Sequence, residues 1–315
     1  MKGALASLVA LLAAPAGAQL RVADPSPAPL PLADESLLAF GTAKTRMTVP
    51  VTIAGSGPWN FVVDTGAERT VIARELAGVL GLPASSDVRV TAMTGTVAVP
   101  TVILPALSTG TIAHAAIQAP TLAMRDLGAL GLLGIDALQD RSVSIDFDHQ
   151  RMTLRMAHRR GGHVAAAADE IVVVARSRFG QLIVTDARCR GTRIAVVVDT
   201  GSPVTIGNPA LLRALAHGAR PLGPLQLTSV TGGMLVTDAF ALDALEIGGV
   251  PLRDVRVAVA DAPPFRRFGI DARPALLLGM DVLRLFRTVQ IDFANREIRF
   301  LLPRGRIAPL PPGLR

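Results

Sequence analysis

Runs of three to five apolar, mostly β-branched residues recur along the chain between Gly- and Pro-bearing turns, and few of them keep a helical period. This is the pattern of buried and half-buried strands. Residues 47–53 and 59–63 run or alternate apolar around Gly55-Ser56-Gly57-Pro58 and predict a β-hairpin that delivers the chain to Asp64. Residues 73–80 predict a short helix ended by Gly81 and Pro83. Residues 88–124, rich in Val, Thr, Ile and Ala with Pro and Gly breaks, predict short strands. A helix of one or two turns is expected from Ile135, then a hairpin of 143–147 and 152–156 turning through Asp148-His149-Gln150. After a charged, Gly- and Ala-rich interruption the programme starts again: strands at 171–174 and 182–185, a hairpin turn through Cys189, an apolar run into Asp199, and a helix near 209–217 stopped by Gly218.

The second programme copies the first. FVVDTGAERTVI at 61–72 matches AVVVDTGSPVTIG at 195–207, Met93-Thr94-Gly95 matches Val230-Thr231-Gly232, GLLGIDAL at 131–138 matches LLLGMDVL at 276–283, and VSIDFDHQRMTL at 143–154 matches VQIDFANREIRF at 289–300. The order is the same in both halves. The spacing between matched blocks grows late in the repeat, which places an insertion in the second half, at 261–274, whose Pro, Phe and Arg read as a loop. Each copy ends a buried strand in an acid followed by glycine. Gly66 and Gly201 permit a tight turn, and the Thr65 and Thr200 hydroxyls are expected to hydrogen-bond locally to backbone. A carboxylate at such a strand end is costly to bury alone. If the two copies form lobes related by an approximate two-fold axis, Asp64 and Asp199 meet and share one proton, since two adjacent carboxylates do not both ionise easily. One is then a general base for water and the other a general acid, as the proton-sharing dyad of aspartic proteases works.

On these motifs the chain resembles the retropepsin-like aspartic proteases, as a bacterial-type aspartyl protease with two such lobes fused over roughly 47–302, similar in plan to the two-lobed pepsins. The resemblance implies a mostly-β, two-lobed acid protease fold with a pseudo-two-fold axis and a few short helices. It implies Asp64 and Asp199 as catalytic residues, with Thr65, Gly66, Thr200, Gly201 and Ser202 in the active-site turns. Gly134 and Gly279 become the support glycines behind the turns, and the hairpins at Thr94, Gly95, Thr231 and Gly232 the flaps. Two departures stand out. Ala67 occupies the place of Ser202, so one carboxylate lacks a hydroxyl partner that pepsins use, although retropepsins also carry alanine there. The chain has no tyrosine, so flap closure is expected to rest on backbone and on Thr94, Thr96 and Thr231, with a looser hold on the substrate.

Composition then narrows the setting. At 315 residues and 50% hydrophobic the chain is long enough for two cores, and an aromatic share of 3% makes them aliphatic. Residues 1–18, with Lys2, an apolar run and Ala16-Gly17-Ala18, fit a secretory signal peptide. The expected organisation is a Pro-rich linker at 19–40, a first lobe at 41–156, an inter-lobe linker at 157–170, a second lobe at 171–302 and a tail at 303–315. The Pro-dense 24–34 stretch reads as a disordered tail. The protein is therefore expected in the periplasm or secreted, without stable membrane insertion after signal cleavage. The net charge of +7 comes from scattered arginines rather than a basic stripe with aromatics, which argues against nucleic acid as a partner. His114, His149 and His217 show no metal-ligand spacing, His158 and His163 stand five apart but beside an arginine pair that opposes a cation, neither Gly55–Gly57 nor Gly232-Gly233 belongs to a P-loop, and no G-x-S-x-G element occurs. Cys189 has no partner for a disulfide within the chain. Asp136, Asp281, Asp146 and Asp292 read as capping or structural acids. The reading is an aspartic endopeptidase that needs no metal or cofactor, takes a polypeptide substrate and works as a monomer. A non-catalytic peptide-binding module of the cell envelope is the alternative, and an obligate homodimer is disfavoured because one chain supplies both halves.

Overall fold

The computed structural model describes residues 35–39, 41–43, 46–159, 166, 169–215 and 218–303. The expected signal segment, most of both expected linkers and the expected tail beyond 303 lie outside the described residues. Those described are mostly β, in two sheets with six short helices. No helix among them is long and apolar enough to cross a membrane.

The hairpin expected ahead of Asp64 is Arg46–Ile53 with Ser56–Val63, register Thr48↔Val62. Its counterpart is Gln181–Cys189 with Thr192–Val198, register Ile183↔Val197. Cys189 is the last residue of its strand rather than part of the turn, which runs through Arg190 and Gly191, and it is fully buried. Burial pushes its thiol up to about 11, so it stays protonated. In each lobe a short, fully apolar strand then returns through the middle of the sheet. Gly131–Leu133 runs parallel to Ser56–Val63 and antiparallel to Val71–Ala73. Ala275–Leu278 does the same between Thr192–Val198 and Ile206–Gly207. Strands flanked on both edges and both faces must be apolar throughout, which is why these read as continuous hydrophobic runs.

The lobes join in an antiparallel sheet ordered Glu35–Ala39, Arg151–Met156, Arg141–Asp146, Thr288–Asp292, Glu297–Leu301, Glu170–Arg178. At its centre Val143 pairs with Ile291 and Ile145 with Val289. These are matched residues of the two repeats, exchanged as an approximate two-fold axis requires. Glu35–Ala39 lies inside the stretch expected to be linker. It pairs with the first lobe as Glu170–Arg178 pairs with the second, so the repeat begins earlier than its hydrophobic pattern suggested.

Short helices stand where they were expected, at Arg74–Val79, Ile135–Leu138 and Pro209–Ala214. Two expectations change. The 88–124 region folds not only into short strands but into a long hairpin, Ala84–Ala92 with Gly95–Leu104. The 261–274 insertion is not simply a loop: Pro263–Phe268 is helical, begins with two prolines whose fixed φ suits a first helical turn, and buries Phe265 and Phe268. Those two rings, with Ile270, Val197 and Leu277, form a second-lobe cluster beside the larger core. The cores are aliphatic, with Phe61, Phe265 and Phe300 among the largest fully buried side chains.

Candidate active site

Each turn holds its own acid in the same way. Asp64 Oδ1 accepts the N–H groups of Gly66 and Ala67, both at 2.9 Å, and Asp199 Oδ1 accepts those of Gly201 (3.0 Å) and Ser202 (3.1 Å). The two turns also lock onto each other. Thr65 Oγ1 donates to the Val198 carbonyl at 2.8 Å and accepts the Thr200 N–H at 3.2 Å. Reciprocally, Thr200 Oγ1 donates to the Val63 carbonyl at 2.7 Å and accepts the Thr65 N–H at 3.1 Å. The threonines thus serve the opposite lobe rather than their own backbone. Both are buried, so these are satisfied polar groups in a dry setting.

The grip brings the acids together. A Cβ on Gly201 would lie 2.1 Å from Asp64 Cγ, and one on Gly66 would lie 2.7 Å from Asp199 Cγ. No side chain fits there, so the glycines are required by the approach of the opposite carboxylate rather than by backbone conformation. Asp64 is buried while Asp199 keeps part of its surface open. Burial raises the Asp64 carboxyl above its usual range, opposed by the charge of Arg46 and by the N–H groups of Gly66 and Ala67. Asp199 is pushed up to about 7, first by burial and then by the charge of Asp64. Two like-charged groups this close do not both ionise easily.

Gly134 and Gly279 pack against the backbone that follows each turn. A Cβ on either would meet backbone within 2.4 Å, at Arg69 and Val204 respectively. Gly134 N–H donates to Thr70 Oγ1 at 3.2 Å, and Thr70 donates to Asp136 Oδ1 at 2.7 Å. The second lobe repeats this with Gly279, Thr205 and Asp281 at 3.0 and 2.7 Å. Asp136 and Asp281 are therefore structural acids, as read. Thr70 and Thr205 escaped notice, although the shared spacing D-T-G-x-x-x-T was there to find them. Ser202 changes its expected part: its hydroxyl donates to the Val204 carbonyl at 2.7 Å. Ala67 and Ser202 therefore leave the two carboxylates alike in lacking a hydroxyl donor from that position.

The flap candidates lie at the tips of two long hairpins. Met93 and Thr94 cap the first, where Ala92 pairs with Gly95. Residues 229–233 cap the second hairpin, Ala219–Thr228 with Met234–Leu242, closed by Gly232 N–H to Ser229 O at 2.9 Å. Gly95 (φ 149°) and Gly232 (φ 87°) take conformations that favour glycine. The tips touch, since a Cβ on Gly233 would lie 2.4 Å from Thr94 Oγ1. Met93 packs against the second-lobe cluster. Thr96 and Thr231 spend their hydroxyls within their own hairpins, on Thr91 and Ser229, each at 3.0 Å.

At the edge of the site the Arg267 guanidinium grips Glu68 through two bonds of 2.7 and 2.9 Å and stacks 3.9 Å from the Phe179 ring centroid. This ties the insertion helix to the first lobe. A cavity of about 560 Å³ opens alongside, lined by Glu68, Arg69, His114, Gln118, Gln139 and Phe179 among others, and does not include Asp64 or Asp199. Among the described residues, no three His, Cys, Asp or Glu side chains are grouped to hold a metal ion.

Two family models match the chain. Residues 49–140 match the family described as "gag-polyprotein putative aspartyl protease", and residues 184–282 match the family described as "Aspartyl protease". Each match contains one Asp-Thr-Gly turn and its support glycine. No curated protein matches the chain significantly.

Proposed function

We propose, from the premise that the chain belongs to the retropepsin-like aspartic proteases with one such domain in each lobe, that it is an endopeptidase whose Asp64/Asp199 pair activates water. The observation that carries this reading is the reciprocal threonine grip, which sets each acid against the opposite lobe's turn glycine at a cost in stability that a structural role does not need. In the reaction one carboxylate takes a proton from water as its oxygen attacks the peptide carbonyl carbon, and the other carboxyl gives its proton to the carbonyl oxygen. The tetrahedral diol then collapses. The proton held by the first acid passes to the departing amine nitrogen, the C–N bond breaks, and a diol proton returns to the second acid. No covalent enzyme intermediate forms.

The substrate is an extended polypeptide that adds a strand in the cleft below the paired hairpins, with a preference for apolar side chains. The N-terminal segment of the sequence supports action in the periplasm or outside the cell, and the internal pairing of the two lobes supports a monomer.

Exposing the purified full chain to a mixed peptide library from pH 3 to pH 8 tests the proposal. Sequence-selective cuts that disappear in Asp64→Asn and Asp199→Asn are expected. A folded wild type that binds peptides, cuts none, and is matched in binding by both variants is instead a peptide-binding module.

A further inference from the structure

The two halves of the site share their Asp-Thr-Gly turns and supports but differ in charge at the pair of positions across from the acids. In the first lobe the hairpin register Thr48↔Val62, continued two residues, sets Arg46 across from Asp64. In the second, Ile183↔Val197 continued in the same way sets Gln181 across from Asp199. Side chains directly opposite on neighbouring strands stand about 5 Å apart at Cβ. Both are buried, Arg46 at 6% and Gln181 at 0% exposure. One position carries a permanent positive charge and the other a neutral amide.

The guanidinium of Arg46 is held by a hydrogen bond to the Leu127 carbonyl, at the end of the short helix Met124–Leu127. No carboxylate is in ion-pair contact with it among the described residues, and the charges that act on it are those of Asp64 and Asp199. The Gln181 amide instead lies against the backbone carbonyls of Gly66 (3.3 Å), Arg178 (2.8 Å) and Phe179 (2.9 Å). Other charges near the turns are engaged elsewhere. Asp136 and Asp281 receive Thr70 and Thr205, Glu68 is bound by Arg267, and Asp126, beside Leu127, lies 3.7 Å from Arg125.

We propose that Arg46 is a positioning residue that breaks the symmetry of the pair, fixing Asp64 as the carboxylate that accepts a proton from water and Asp199 as the acid that donates one to the carbonyl oxygen. The physical reason is placement. An opposite charge stabilises the ionised form of the nearer acid more than that of the farther one, and in a dry site that difference is large. The opposing effect of Arg46 is the first to offset burial at Asp64 but the last at Asp199. This assignment rests on the peptidase reading for its chemical consequence, though not for the ionisation order itself.

The test is the titration of the full-chain protein carrying ¹³Cγ-aspartate, followed by NMR, with the two signals assigned from Asp64→Asn and Asp199→Asn. Asp64 is expected to ionise first and Asp199 to hold its proton until about pH 7. In Arg46→Gln the Asp64 step moves up by about one pH unit or more, the usual size of such a charge effect, and Arg46→Lys restores most of it. The acid limb of kcat/KM moves with it, a shift that a purely structural role does not produce. A first ionisation at Asp199 in the wild type, or a folded Arg46→Gln whose Asp64 step stays in place, overturns the proposal. Should Arg46→Gln fail to fold, the wild-type order still decides. If the titration is as expected but no peptide is cut, the peptidase reading and the proton roles fail while the ionisation order set by Arg46 stands.

Discussion

At the scale of single residues, the site works against the stability of the fold. Asp199 has a carboxyl raised to about 7 in the folded chain, against about 3.9 when unfolded. The native state therefore binds more protons than the unfolded one between these values, and its stability falls as pH rises from about 4 to 7. Asp199→Asn removes the ionisable group while leaving the turn its side-chain oxygen acceptor. The variant is expected to melt higher than wild type at pH 7, by about 2–4 °C for each kcal/mol recovered, and to lose that advantage near pH 4. Melting curves at the two pH values check it; equal shifts at both would mean that charge is not the cause. Asp64 and Asp199 are legible in the sequence because the apolar run before each acid leaves it nowhere to go but a buried turn. Arg46 and Gln181 are not, because their meaning lies in register. Each stands eighteen residues before its acid, and only the folded hairpin sets them opposite one another.

At the scale of elements, the short helices and the hairpins were legible wherever hydrophobic period and turn residues agreed, as at Arg74–Val79 and across 143–156. The insertion helix Pro263–Phe268 was not. Two prolines and two arginines mark a loop by composition, while the burial of Phe265 and Phe268 against the second lobe is a tertiary effect that overrides it. This element joins packing to the site, because its Arg267 reaches Glu68, four residues after Asp64. Phe265→Ala is expected to cost about 3–5 kcal/mol, the usual loss for a fully buried ring, measured by urea unfolding. A loss under 1 kcal/mol would show the helix to be peripheral. The threonine hydroxyls teach a similar lesson. A residue after a strand end reads as a local turn former, and only the meeting of the lobes turns Thr65 and Thr200 outward to the opposite chain segment.

At the scale of the whole molecule, duplication accounts for the architecture. Strands from both repeats pair across the pseudo-two-fold axis at Arg141–Asp146 and Thr288–Asp292, and the same axis sets the two turns face to face. The two-lobed plan was legible because four blocks recur in one order; the early start of the repeat at Glu35 was not, since five residues of strand carry too little period to stand out beside a Pro-rich segment. What the symmetry yields is a site neither lobe can make alone. The most direct measurement is therefore kcat/KM of Asp64→Asn, Asp199→Asn and the double variant on the best-cleaved peptide. Acids that act as one unit are grossly non-additive, so each single variant is expected to fall by a factor on the order of 10⁴ and the double variant to fall little further. A single variant that keeps most of the wild-type rate would contradict the shared site at the centre of this account.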